Sequence, residues 1–304
     1  MSPSAGLRRR ALYPGPVVDG RAADTTGGRW RRRVDRLLVS AREREEAELE
    51  RQIGSHPGVT RANVVGVISP KGGVGKTTSA FVVGSLIADR LRLRVVAVDA
   101  NPDFGTLASL APDKARCERT LADLLADIEQ VHTAAGLRQY VSALPSGLHV
   151  LGAPRDPRAM EQLGPESYGE LLTLLSTFYE LVILDLGTGV AGPIAQFAIS
   201  RSDQLVLVTT PEWVTSSLVL AALEHLEHER TTVACNKFYA RRPTDLAELE
   251  RRLRERRLHR SVAIPHDRQL ATMLDSGTYE LGALERTTRT ALKRLGLAVT
   301  EQLV

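Results

Sequence analysis

From Ala62 to Val304, short runs of valine, isoleucine and leucine alternate with amphipathic stretches. The runs predict strands at Asn63–Ser69, Arg94–Asp99, His149–Leu151, Leu181–Asp185, Gln204–Thr209, Thr232–Cys235 and Ser261–Ile264. Several are apolar at every position, as strands buried on both faces should be. The stretches between them predict helices at Thr77–Arg90, Thr120–Val131, Tyr168–Phe178, Thr215–His225 and Leu246–Arg257, with a last one over roughly 282–303. Strand–helix repetition of this kind implies an α/β fold, a doubly wound and mostly parallel sheet. No segment repeats.

The first sixty residues do not share this pattern. Residues 1–28 are rich in Pro, Gly, Ala and Arg without a hydrophobic period, a composition that predicts disorder. Arg29–Arg51 reads as a charged helix with a thin apolar stripe (Val34, Leu37, Leu38, Ala41, Leu49), basic in its first half and alternating Arg with Glu in its second. Two roles stand open for it: a solvated helix laced with i,i+4 pairs, or an arm that docks on acidic lipid, DNA or a partner. Ile53–Arg61 reads as a linker, so the expected division is an extension over 1–61 and one large domain over 62–304.

Charge sharpens that division. The net charge is +4, and residues 1–60 hold twelve arginines against eight acids, so the extension carries the whole excess. Lysine is scarce: five (71, 76, 114, 237, 293) among 40 basic residues. Two of them fall within one six-residue stretch, where a compact point charge is wanted and not merely a positive sign.

Cysteine and hydropathy exclude several classes. Cys117 and Cys235 are far apart, which argues against a disulfide framework or zinc ribbon and fits a reducing compartment. Cys235, within Thr232-Val233-Ala234-Cys235, reads as a small core residue. No apolar run approaches the roughly 20 residues that span a bilayer. Arg8, Arg9 and Arg10 lack the apolar stretch a secretory signal needs after them, so the expected location is cytoplasmic.

The chemistry concentrates after the first strand. Lys71-Gly72-Gly73-Val74-Gly75-Lys76-Thr77-Thr78 follows Val64–Ile68 and opens a helix, the context a phosphate-binding loop requires. Its glycines let the backbone wrap phosphates with N–H groups pointing inward, and the helix start adds a positive dipole end. Lys76 should bridge the terminal phosphates, the Thr77 hydroxyl should ligate Mg²⁺, and the bound nucleotide should be ATP. Asp99 ends the second strand, where ligands of doubly wound sheets bind, and is placed to support the metal. Asp185 ends the apolar run Leu181–Leu184, an arrangement that holds Mg²⁺ through water.

The loop resembles the deviant Walker A of the ParA/MinD ATPases, in which a lysine at the position of Lys71 reaches phosphates bound by a partner subunit. The resemblance implies a homodimer assembled on ATP. It covers Asn63 to the C-terminus, including Val206–Ser216, Asn236 at a strand end where the family reads the adenine edge, and Pro265 in the loop against the base. The family usually has a second aspartate in its switch loop to position attacking water; here that residue is Asn101, with Asp103 two residues on. An amide orients water but cannot act as a general base, so hydrolysis is expected to be slow, partner-dependent or absent.

Some relatives are excluded by what they require. A nitrogenase-type iron protein needs a cysteine just after Asp185, and Gly187–Pro193 has none; the tyrosine-rich tail of a bacterial tyrosine kinase is also missing. The last helix reads as the domain's own, not as a membrane-targeting helix, which leaves lipid contact to the N-terminal arm. ParA proteins bind DNA through basic residues, and Arg241, Arg242, Arg251, Arg252, Arg254, Arg256, Arg257 and Arg260 form a cluster. It reads either as a phosphate-binding surface or as a helix face neutralised by Asp245, Glu248, Glu250 and Glu255. The expected function is therefore a partitioning or positioning ATPase acting on DNA or a protein cargo, with an unidentified activating or cargo protein as partner. The alternative is a nucleotide-bound scaffold, weakened by Asn101, docking a partner such as a secretion or polar complex.

Overall fold

The computed structural model describes residues 41, 43–101, 105–224, 226, 228–239, 243–256, 258, 260–276 and 279–304. The chain divides into two compact units, Met1–Arg44 and Glu45–Val304. Disorder over 1–28 and the basic half of the expected N-terminal helix lie outside the described residues.

The second unit begins with helix α1 (residues 45–54). The order then runs β1 (Asn63–Ser69), α2 (Lys76–Leu91), β2 (Val95–Ala100), α3 (Leu121–Ala126), α4 (Ala134–Leu137), β3 (Ser142–Ala143), β4 (Leu148–Leu151), α5 (Pro157–Glu161) and α6 (Pro165–Phe178). It continues β5 (Leu181–Thr188), α7 (Pro193–Arg201), β6 (Gln204–Thr209), α8 (Trp213–Leu223), β7 (Thr231–Phe238), α9 (Pro243–Glu255), β8 (Ser261–Pro265), α10 (Arg268–Asp275) and α11 (Arg286–Thr300). The strands form one sheet in the order β3-β4-β2-β5-β1-β6-β7-β8, parallel except for the β3–β4 pair.

Side chains alternate across a strand, so each apolar run feeds two cores. Val65 and Val67 of β1 join one cluster with α2 and α11; Val64 and Ile68 join the other with α3, α6 and α7. β2, β5 and β6 alternate in the same way, so helices are needed on both faces. From β1 the chain winds toward β2 and β4, then returns through β5 and passes to β6 on the other flank of β1. This reversal leaves a crevice beyond the carboxyl ends of β1, β5 and β6, the place where such sheets bind ligands.

Two expectations are corrected. Ile53–Arg61 is not a free linker: Ile53 is buried in the α2–α11 core, and the Thr60 and Arg61 amides both donate to the Val304 carbonyl (3.1 and 3.4 Å). The second compact unit therefore includes residues 45–61 as well as the expected domain. The helix expected over Thr120–Val131 ends at Ala126, beyond which Asp127 takes the Tyr140 hydroxyl (2.7 Å) and Ile128–Gln130 form a 3-10 turn.

The acidic half of the expected charged helix docks on α11. Lys293, buried, donates to Glu46 and Glu50 at 2.6 Å each, while Arg289 also binds Glu46 and Arg294 binds Glu45. The hydrogen bond from Arg289 leads the causes that hold the Glu46 carboxyl down at about 2; burial opposes it, and Lys293 adds to it.

Candidate nucleotide site

The loop from β1 to α2 turns on two left-handed glycines, Gly73 (φ 77°) and Gly75 (φ 96°). Gly75 is also the residue before α2, and a Cβ there would overlap the Asn236 side-chain amide. Side chains hold the loop's carbonyls: Ser69 donates to Lys71 O (2.8 Å), Lys237 Nζ to Gly73 O (2.7 Å) and Asn236 Nδ2 to Val74 O (2.8 Å). The first amides of α2 have no carbonyl partner within their own helix, so the loop offers N–H groups to a ligand.

Beneath the loop lies a buried ion pair. Lys76 Nζ sits 2.7 Å from Asp185 Oδ1, with the side chains 8% and 1% exposed. Asp185 Oδ2 is buried and has no hydrogen-bond partner. Asp99 lies beside Asp185 in the β2–β5 register, and its two oxygens accept the Leu107 amide (2.8 Å) and the Asn101 amide (3.4 Å). Burial, with Asp185 adding to it, pushes the Asp99 carboxyl up to about 6; the Leu107 and Asn101 amides and Lys76 pull the other way.

A cavity of about 580 Å³ opens over these groups. Lys71–Gly73 and Gly75–Thr78 of the loop line it, together with Asn101, Thr188, Asn236, Pro265 and His266. His266 stacks on Tyr239, centroids 4.8 Å apart at 19°. Leu270, Ala271 and Leu274 of α10 add an apolar wall.

The fold thus brings together Lys76, Thr77, Asn101, Asn236 and Pro265 at one cavity, with Asp99 and Asp185 behind it. Asp103 lies outside the described residues. Lys71 is exposed and turns toward α8, its Nζ 3.2 Å from Thr215 Oγ1. Asn236 is committed at both ends of its amide, to Val74 O and to the Lys237 amide (2.9 Å). Sequence reading missed Lys237, Gly105 and the α10 wall. Lys237 carries a non-glycine left-handed φ of 55°, and Gly105 sits where any Cβ would overlap the Asp99 carboxylate. Each acts through a contact distant in sequence or through backbone shape, which a motif does not record.

An AAA-domain family model (AAA_31) matches residues 62–233, more than half of the chain and the whole span from the phosphate loop through Asp185. The chain belongs to the ParA/MinD family of P-loop ATPases. It is 32% identical over 187 residues, 60% of its length, to the ESX-1 secretion-associated protein EspI of Mycobacterium tuberculosis. It is 29% identical over 149 residues, 49% of its length, to the septum site-determining protein MinD of Synechocystis. These matches span 27% of EspI and 53% of that MinD, so the chain accounts for part of each relative. In fold it resembles a ParA family ATPase from Chlorobium tepidum (TM-score 0.65, 21% identity, 77% of this chain and 98% of that one). It also resembles MinD of Pyrococcus horikoshii complexed with Mg-ADP (TM-score 0.62, 19% identity, 77% and 94%).

Within this ParA/MinD-family chain the described arginines of the cluster are each paired with a carboxylate. α9 carries three arginines and four acids. Arg251 and Arg252 bind Glu248 (2.8 and 2.6 Å), Arg256 binds Glu224 (2.8 Å) and Arg260 binds Glu301 (3.2 Å). Arg241, Arg242 and Arg257 lie outside the described residues. Among the described residues no helix is long and apolar enough to cross a membrane. Cys235 is buried, as expected of a core residue, and burial pushes its thiol up to about 12.

Proposed function

We propose that this chain binds ATP with Mg²⁺ at the phosphate loop, hydrolyses it slowly, and pairs with a second copy while ATP is bound. The observation that carries the reading is the Lys76–Asp185 pair with Asp185 Oδ2 left unpartnered. A buried carboxylate oxygen without a donor is costly, and the hydration shell of a bound cation supplies donors. No group of three His, Cys, Asp or Glu that could hold a metal occurs among the described residues. That sparse donor set suits Mg²⁺, which keeps waters and takes phosphate oxygens alongside one or two protein groups. Thr77, Asp99 and Asp185 are the residues that would hold it, and the cation would neutralise charge on the phosphates. Lys76 would exchange its bond to Asp185 for the terminal phosphates. The loop amides of Gly72–Thr78 would bind the phosphate chain, with Asn236 and Pro265 flanking the base. Asn101, facing the same cavity, would orient water by hydrogen bonding without removing its proton.

Pairing on ATP is supported by α8. It begins beside Lys71, and Trp213, Val214 and Leu218 are 59%, 63% and 43% exposed. An apolar face of this kind beside a phosphate-reaching lysine suits a nucleotide-dependent contact. The paired form would act as a positioning switch for a cargo, in the cytoplasm, where ATP and magnesium are available. A second reading is a nucleotide-bound scaffold for a secretion complex. The carboxamide of Asn101 in the cavity favours it, as does the likeness to a secretion-associated protein.

Phosphate release and size-exclusion chromatography in ATP and in ADP test both readings. Turnover and an ATP-dependent dimer, both lost in Lys76→Ala, support the switch. Tight ATP binding without turnover, with DNA and candidate partners present, supports the scaffold. An absence of any nucleotide binding in magnesium defeats both.

A further inference from the structure

A concavity of about 880 Å³, larger than the nucleotide cavity and sharing no residue with it, lies between α6 and α7. The 3-10 turn Ile128–Gln130 contributes to its wall, and Ile128, Leu174 and Phe197 give it an apolar floor. Gly169 stands in the middle of α6, a position where glycine costs about 1 kcal/mol relative to alanine. Nothing local requires it. Its backbone is not left-handed, and a Cβ there would make an ordinary 3.5 Å contact with Phe197. What glycine does at that point is keep the groove open.

The rim is acidic. Glu129, Glu166 and Glu170 are exposed and take no ion pair or hydrogen bond among the described residues. On α9, by contrast, Glu248, Glu250 and Glu255 are each paired with arginine. One cation, Arg201, lines the same concavity, its guanidinium 5.9 Å from the Phe197 ring centroid.

We propose that the α6–α7 groove is a docking site for an amphipathic helix of a partner protein, with an apolar stripe flanked by lysine or arginine. Walls made of helices accept a further helix by ridges and grooves, and the missing side chain at 169 lets its axis approach closely. The carboxylates select a basic sequence and steer its arrival. The site is separate from the phosphate loop and does not depend on nucleotide binding.

The test uses the full chain and fluorescent synthetic helices of about 18 residues, five turns long. One has leucine at helical spacing with lysine elsewhere; its counterpart has glutamate for lysine. Anisotropy should show the lysine helix binding at least about tenfold tighter, an advantage that shrinks between about 50 and about 200 mM salt. Gly169→Leu, which fills the groove, should remove that binding. Glu166→Lys with Glu170→Lys should reverse the preference, and adding ATP or ADP with magnesium should leave helix binding unchanged. Gly169→Ala, a smaller filling, serves if the leucine variant does not fold, and should weaken the lysine helix about threefold or more. Equal binding of the two helices, no binding, or binding indifferent to filling at 169 overturns the proposal. Displacement by spermine at equal charge concentration also overturns it, because the rim would then be a bare cation sink.

Discussion

Two of the five lysines are buried, and each meets a carboxylate, yet the two sites are finished differently. Lys293 is 3% exposed and donates to both Glu46 and Glu50 at 2.6 Å, with Arg289 binding the same Glu46. Lys76 is 8% exposed and has one carboxylate bond, to an Asp185 whose second oxygen is unmet. The first arrangement satisfies its charges internally and so fastens α1 to α11. The second leaves polar capacity unspent at the edge of a cavity. A buried lysine is structural when its bonds are complete and exchangeable when they are not.

The largest effect should come from breaking the complete site. Lys293→Ala removes a buried side chain and its bonds to Glu46 and Glu50, which keep Arg289 and Arg90 as partners, and urea denaturation should show about 3 kcal/mol of stability lost. Lys76→Ala should lower stability by less, because the neighbouring cavity admits water to Asp185. Its main effect should appear in calorimetry as ATP binding weakened by about 3 kcal/mol, roughly 150-fold. If the two substitutions cost the same stability, the contrast between them fails.

A smaller effect is expected at the turn that holds Lys76 in place. Gly75→Ala forces a left-handed alanine, about 1–2 kcal/mol, and pushes on Asn236. Both thermal stability and ATP affinity should fall, whereas Gly54→Ala, with open space around it, should leave ATP affinity unchanged.

The smallest effect is in acid. Glu46 has its folded-state carboxyl lowered from 4.5 to about 2, so its contribution to stability is present above about 4.5 and lost as pH falls toward 2. The stability gap between the parent chain and Glu46→Gln, about 1 kcal/mol or more at pH 6, should narrow steadily below pH 4.5. A gap that stays constant across that range would mean that Arg289 and Lys293 do not set the carboxyl's titration.

Much of the architecture was legible in the chain. β1 and β6 occur at the predicted residues because Val/Ile/Leu runs buried on both faces leave no other period to choose. β3 was not seen, since two residues, Ser142 and Ala143, carry no pattern and owe their pairing to β4. α7 was hidden behind the Gly- and Pro-rich stretch after Asp185, where Pro193 opens a helix. α10 was missed although Asp267 caps it, because eight residues are too few to establish a helical period. At the site, the loop's identity was in the motif, but its bracing was not. Asn236 to Val74 and Lys237 to Gly73 are contacts between residues more than 160 positions apart.

That bracing ties the phosphate loop to the end of β7. β7 ends in two donors that grip consecutive peptide carbonyls of the phosphate loop, while its neighbour β8 leads into Pro265 and His266. Whatever flexes this flank of the sheet therefore tugs the phosphate cradle with it. In the proposed ATP complex, grip on the phosphates and grip on the base would then be one mechanical adjustment.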